Sequence, residues 1–249
     1  MKFYRHLSNI KAISFDLDDT LYSNKPVMLA IEKKMIAYFS NLPALNRKIF
    51  NNSTTLDSRF WTTFRQQAVL KQPDLAHDVV LVRLETYRLG FLALGLSENA
   101  AEQQAQAALD YFIILRSDFT LPTASVNLLA DLSKRYPLIA ISNGNVDTNT
   151  LGIAQYFQYV YHAGWQADGT LLRQKPAGDM FNLASQKLAI KPSQLLHVGD
   201  CGRADIQGAL RAGCQAAWLS CYDVGQPITA LPHIELSNVT QLKQLLRFL

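Results

Sequence analysis

The chain has 249 residues, 49% hydrophobic and 18% charged, a balance that supports a sizeable core and excludes an extended disordered chain. Its formal charge of +4 is spread thinly; Lys33-Lys34 and Arg47-Lys48 are isolated pairs, so no nucleic-acid partner is expected. Cys201, Cys214 and Cys221 make no C-x-x-C pair, the first nine residues lack an apolar leader, and no apolar run is long enough for a membrane span, so a cytoplasmic location is expected and no membrane partner.

In chain order, residues 10–15 are short and apolar, and predict a buried strand that ends in Asp16-Leu17-Asp18-Asp19-Thr20. The pattern then changes. Residues 27–40, 57–70, 76–94 and 97–115 all predict helices, with apolar residues recurring at three and four, as in Val79, Val82, Tyr87, Phe91 and Leu94. Ser97 is the predicted N-cap of the last of these. Residues 41–55 are rich in Asn, with Pro43 and Ser53 among them, and predict a connecting loop. No strand signal interrupts this run of helices.

After Leu121-Pro122, helices and strands alternate. Helices are predicted over 124–134, 179–188, 204–212 and 239–248, and strands over 138–142, 159–163, 194–198, 215–219 and 233–236. Such alternation predicts an α/β fold with a parallel sheet covered on both faces, and ligands bind such sheets at the carboxyl ends of the strands. Three predicted strands end in polar residues, Asp16, Ser142 and Asp200, which points to one shared site.

The residues around those ends suggest a chemistry. Asp16 and Asp18 repel one another unless a cation lies between them, and Mg²⁺ prefers one or two carboxylates plus a substrate phosphate. One carboxylate can attack phosphorus while its neighbour moves a proton at the leaving group. Ser142, ahead of Asn143-Gly144, offers a hydroxyl and free backbone N–H groups to phosphoryl oxygens. Lys175 supplies a point charge near the carboxylates, and Asp200 with Asp205 can complete a metal site. Each signal alone also fits a bland reading: a capped turn at Asp16, a Ser-Asn-Gly turn, a surface lysine, an N-cap at Asp205. Together they are hard to read that way.

The four segments resemble the motifs of the haloacid dehalogenase superfamily of hydrolases. The motifs read Phe15-Asp16-Leu17-Asp18-Asp19-Thr20, Ile141-Ser142-Asn143-Gly144, Lys175-Pro176, and Gly199-Asp200 through to Asp205. The segments near Phe15, Ala140 and His197 are similar to those of bacterial flavin mononucleotide phosphatases. The resemblance implies a three-layer Rossmannoid core over residues 1–22 and 117–249, and an inserted all-helical C1-type cap over 23–116. It implies Asp16 as nucleophile, Asp18 as general acid and base, and Mg²⁺ held by Asp16, the Asp18 carbonyl and Asp200. It further implies that Ser142 and Lys175 bind the phosphoryl group, with Thr20, Asn143 and Asp205 in support. The expected activity is hydrolysis of small phosphorylated metabolites. Flavin mononucleotide and 5-amino-6-(5-phospho-D-ribitylamino)uracil are favoured, by a monomer or weak dimer. Sugar phosphates or nucleotides, metal-independent dehalogenation, a phosphomutase and a non-enzymatic binding role are the alternatives. Asp18 argues against dehalogenation, which has no leaving alcohol to protonate. Tyr22, Asn24, His77, Asp78 and Arg83 are candidates for substrate selection by position alone, and Cys201 stands where a polar residue is expected.

Overall fold

The apolar runs form one seven-stranded sheet, its strands in the order β1-β9-β8-β7-β2-β3-β4. These are β1 (Lys2–Phe3), β2 (Ala12–Phe15), β3 (Leu138–Ser142), β4 (Tyr159–His162), β7 (Leu195–Gly199), β8 (Gln215–Leu219) and β9 (Ile234–Leu236); β5 (Gln166–Ala167) and β6 (Thr170–Leu171) make a separate hairpin. The computed structural model describes residues 1–43, 45, 55–221 and 230–245. All pairings in the large sheet are parallel except that of β1 with β9. Every residue of β2, β3, β7 and β8 is buried. That is what strands covered on both faces require, and why they read as unbroken apolar runs.

The chain divides into two units, Met1–Asn24 with Phe119–Leu249, and Lys25–Asp118. In the first, α5 (Thr123–Leu132), α6 (Asp179–Lys187), α7 (Gly208–Arg211) and α8 (Leu242–Leu245) accompany the sheet. Met180, Phe181 and Ala209 from the helices share a core with Ile139, Ile141, Leu195 and Ala216 from the strands. The predicted helix over 204–212 is in fact a π-helical turn, Gly202–Gln207, followed by α7. The Asp205 and Ile206 N–H groups both reach the Cys201 carbonyl, at 2.9 and 3.2 Å, and this widens the turn.

The second unit contains α1 (Asn24–Ser40), α2 (Ser58–Lys71), α3 (Val79–Ala93) and α4 (Glu98–Arg116). Ser97 caps α4 as expected, accepting from the Ala100 N–H. The helix predicted over 76–94 breaks at Asp78. Its carboxylate accepts from the N–H groups of Val80 at 2.8 Å and Leu81 at 2.9 Å, so α3 starts there and a 3₁₀ turn, Pro73–His77, precedes it. Phe39, Trp61, Tyr87 and Phe91 form the aromatic centre, with ring centroids of Phe39 and Trp61 4.7 Å apart. Gly90 makes room for it, since a Cβ there would stand 2.3 Å from the Trp61 ring. Most of the loop predicted over 41–55 lies outside the described residues.

Candidate active site

Strand order assembles the site. β2 lies between β7 and β3, so three strands distant in sequence present their carboxyl ends side by side. Phe15 is level with Ala140 on one side and Val198 on the other. Asp16, Ser142 and Asp200 therefore emerge at one edge, all buried. The chain runs β2, β3, β4 in one direction and resumes at β7 on the other side of β2, the switch point where open α/β sheets bind ligands.

Lys175 is the hub. Its ammonium donates to Asp16 Oδ1 at 2.6 Å, Asp205 Oδ1 at 2.6 Å and the Ile141 carbonyl at 2.7 Å, which uses all three of its protons. Its backbone is clamped by Asn143: the Asn143 amide donates to the Lys175 carbonyl at 3.0 Å, and the Lys175 N–H donates to Asn143 Oδ1 at 2.7 Å. The Asn143 side chain thus positions Lys175. Ser142 Oγ accepts from the Gly144 N–H at 3.0 Å, which shapes the turn after β3.

Carboxylates outnumber cations here. Oxygens of Asp16, Asp200 and Asp205 come within 4.8 Å of one another, all buried, with Lys175 as the cation among them. Burial pushes the Asp16 carboxyl well above the usual carboxylate range; Lys175 works against this, while Asp205 and Asp200 add to it. Burial, Asp205 and Asp19 raise Asp200 to about 7. Burial also opposes the charge of Asp205, but Lys175 and His197 hold that carboxyl below its ordinary value. Burial disfavours charged Lys175 as well, and Asp16 with Asp205 more than reverses that, raising its pKa. Two buried carboxylates resisting ionisation beside a third that is ionised make a donor set that suits a hard divalent cation.

Asp18 receives a hydrogen bond from the Tyr22 hydroxyl, whose ring lies against Phe119 at 4.6 Å. Asp19 adopts the left-handed conformation at φ 53°, which Asp tolerates, and its Oδ1 accepts from the Asn24 N–H at 2.8 Å. Thr20 Oγ1 donates to Asp200 Oδ1 at 3.2 Å, linking the two loops. The Asp205 Oδ2 accepts from the Cys201 N–H at 2.9 Å, while Cys201 Sγ accepts from the Ala204 N–H and caps the π-helical turn. Gly199 permits this approach, because a Cβ there would meet the Asp205 carboxyl carbon at 2.3 Å.

Sequence reasoning did not single out His197 or Ser14. Both are fully buried on adjacent strands. His197 Nε2 lies 3.1 Å from Asp205 Oδ1, and its Nδ1 lies 2.9 Å from Ser14 Oγ. Burial lowers the His197 pKa, so the ring is neutral near pH 7. Nε2–H then donates to the carboxylate and Nδ1 accepts from the Ser14 hydroxyl. A polar chain runs Ser14, His197, Asp205, Lys175, Asp16 through the centre of the sheet. The only signal in the sequence was a lone histidine within the apolar run Leu195-Leu196-His197-Val198.

Comparison with known proteins shows the family and the fold. The sequence profile of the haloacid dehalogenase-like hydrolases matches residues 10–213. The chain is 37% identical over 251 residues to the 5-amino-6-(5-phospho-D-ribitylamino)uracil phosphatase YigB of Escherichia coli (strain K12), covering 99% of this chain and 100% of that protein. It is 31% identical to the N-acylneuraminate-9-phosphatase of Rattus norvegicus, covering 97% and 95%. The crystal structure of 2-haloacid dehalogenase from Pseudomonas syringae pv. Tomato DC3000 has a similar fold, with a TM-score of 0.83 at 26% identity, covering 96% and 100%.

Proposed function

The chain belongs to the haloacid dehalogenase-like hydrolases and is a phosphatase of that family, and from this premise we propose that it is a Mg²⁺-dependent phosphomonoesterase acting through Asp16. The proposed substrates are flavin mononucleotide and 5-amino-6-(5-phospho-D-ribitylamino)uracil, by analogy with the relative from Escherichia coli. The observation that carries the mechanism is the buried Lys175 pairing with Asp16, at the same strand edge as Asp18. Lys175 works against the burial that opposes ionisation of Asp16 and fixes its Oδ1.

Mg²⁺ held by Asp16 and Asp200 with the Asp18 main-chain carbonyl would neutralise phosphoryl charge. The Asp16 carboxylate attacks phosphorus, an Asp16 O–P bond forms, and the P–O bond to the leaving alcohol breaks. Asp18 gives its proton to that alcohol. Asp18 then takes a proton from water, which attacks the aspartyl-phosphate and releases inorganic phosphate with Asp16 restored. Ser142 binds the transferring group, and Thr20 steadies Asp200. The Tyr22 hydrogen bond orients Asp18 for both proton transfers.

A screen of phosphorylated metabolites tests the substrate. Flavin mononucleotide or the ribitylaminouracil phosphate is expected to give the highest kcat/KM with Mg²⁺, and EDTA to abolish turnover. Sugar phosphates ranking well above flavin mononucleotide would overturn the substrate, and EDTA-insensitive dehalogenation would overturn the reaction.

The acidic cluster also sets a pH dependence. Asp200 titrates near 7 in the folded chain and near its ordinary value when unfolded. Its raised pKa means the folded state holds the proton more tightly, so this stabilisation is complete at low pH and lost as pH rises through 7. Asp16 shifts in the same direction. For Asp200 the loss is on the order of 4 kcal/mol. A bound cation stabilises the ionised form, so the gain in thermal midpoint from Mg²⁺ over EDTA should widen between pH 5.5 and 8. A gain that is constant with pH would show that these carboxyls do not hold the metal.

A further inference from the structure

His197 has no part in the proposed reaction steps, yet it is fully buried against the partner of Lys175. Strand register places it there. Ser14 on β2 is level with His197 on β7, so the two side chains share one face of the sheet. Gly199, two residues further along β7, belongs to the same face and has no side chain. The Asp205 carboxyl occupies the space its Cβ would need. The Phe181 ring meets the imidazole edge-on, with centroids 4.8 Å apart, and keeps an apolar wall beside it.

The hydrogen bonds lead in one direction. An ionised Asp205 only accepts, so His197 Nε2, 3.1 Å from Oδ1, carries the ring proton. Nδ1 is then bare and accepts from the Ser14 hydroxyl at 2.9 Å. The other Asp205 oxygen, Oδ2, accepts from the Cys201 N–H at 2.9 Å, so both oxygens of this carboxylate are fixed. Lys175 has a flexible four-carbon stem and cannot aim itself. Two fixed acceptors aim it, the Ile141 carbonyl in β3 and Asp205 Oδ1, and its third proton is left for Asp16 Oδ1. An apolar pair at positions 14 and 197 would fill this space without burying a hydroxyl and an imidazole. It would also free the Asp205 carboxylate to turn, and the ammonium with it.

We infer that His197 and Ser14 are positioning residues for the nucleophile: Ser14 sets the ring tautomer, His197 fixes Asp205, and Asp205 holds Lys175 on Asp16. Both act through Asp205 and Lys175 and reach Asp16 only by that route. The chain ends on Asp16 Oδ1, so its loss falls on the rate of the chemical step more than on substrate binding. The role in catalysis rests on the proposed function; the chain of hydrogen bonds does not.

Two measurements on the full chain test this. Imidazole nitrogen NMR reads the tautomer, the His197 signals being those absent from His197→Gln. The Nε2–H form is expected, and the Nδ1–H form would overturn the inference. In kinetics with p-nitrophenyl phosphate and Mg²⁺, His197→Phe keeps a flat ring but loses the donor. It should lower kcat about ten-fold with KM within about two-fold of wild type. His197→Gln can bring an N–H near the Nε2 position and should recover most of that loss. Ser14→Ala, a small change safe for folding, should cost about three-fold by itself and nothing further when added to His197→Phe, because it acts through the ring. Equal kcat losses in His197→Gln and His197→Phe, Ser14→Ala at the wild-type rate, or losses at the two positions that multiply would each overturn the inference. Wild type that hydrolyses no phosphate ester would remove the proposed function, and with it the role in catalysis, while an Nε2–H tautomer would still uphold the chain of hydrogen bonds.

Discussion

Asp16→Asn is expected to lower phosphatase kcat by on the order of 10⁴-fold or more while leaving the fold intact, because a catalytic nucleophile acts as one unit with its partners. The amide is nearly isosteric with the carboxylate but cannot attack phosphorus. It also removes one negative charge from a cluster in which burial already opposes ionisation of Asp16. The thermal midpoint in EDTA should therefore hold or rise even as activity vanishes. Asp18→Asn should lose activity too, with less loss on aryl phosphates, whose leaving group needs little help from an acid. Assaying Asp16→Asn with p-nitrophenyl phosphate and flavin mononucleotide, alongside its melting curve, separates chemistry from folding. Appreciable turnover by Asp16→Asn would remove Asp16 from the mechanism.

Lys175→Met is expected to be the most damaging single change to stability. The ammonium is buried and pairs at 2.6 Å with both Asp16 and Asp205. Methionine fills similar volume but leaves two buried carboxylates without a cation. Breaking such a pair from one side typically costs about 3–5 kcal/mol. In a chain of this size that corresponds to a thermal midpoint lower by roughly 10 °C. Adding Asp205→Asn to Lys175→Met removes one of the stranded charges and should recover part of the loss, since the sites are coupled rather than additive. A single variant that melts within about 2 °C of wild type would contradict the reading of Lys175 as the structural hub.

Much of the candidate site was legible in the chain because Asp16, Ser142 and Asp200 sit where buried strands end. An apolar run closing on Asp16, another on Ser142 and a third on Asp200 announce a parallel sheet and its ligand edge together. The strand order was not legible. Nothing in residues 195–199 says that β7 returns to the far side of β2, although that placement brings Asp200 beside Asp16. β1, β5 and β6 are two residues each, too short to carry a period. His197 was passed over because one histidine inside a strand reads as packing; only its distances to Asp205 and Ser14 show it holding the lysine's partner in place. Asp78, a candidate for substrate selection by position, caps the start of α3. Arg83, nominated from the same stretch, points into a cavity that no linear pattern reveals.

In the proposed mechanism the phosphoryl group passes through Asp16. Acid quenching of wild type within a turnover of flavin mononucleotide, followed by peptide mass spectrometry, tests this most directly. One phosphoryl group, labile to hydroxylamine, is expected on the peptide that contains Asp16, and none when Asp16→Asn is treated identically. Turnover in which the label falls on another residue, or on none, would contradict it.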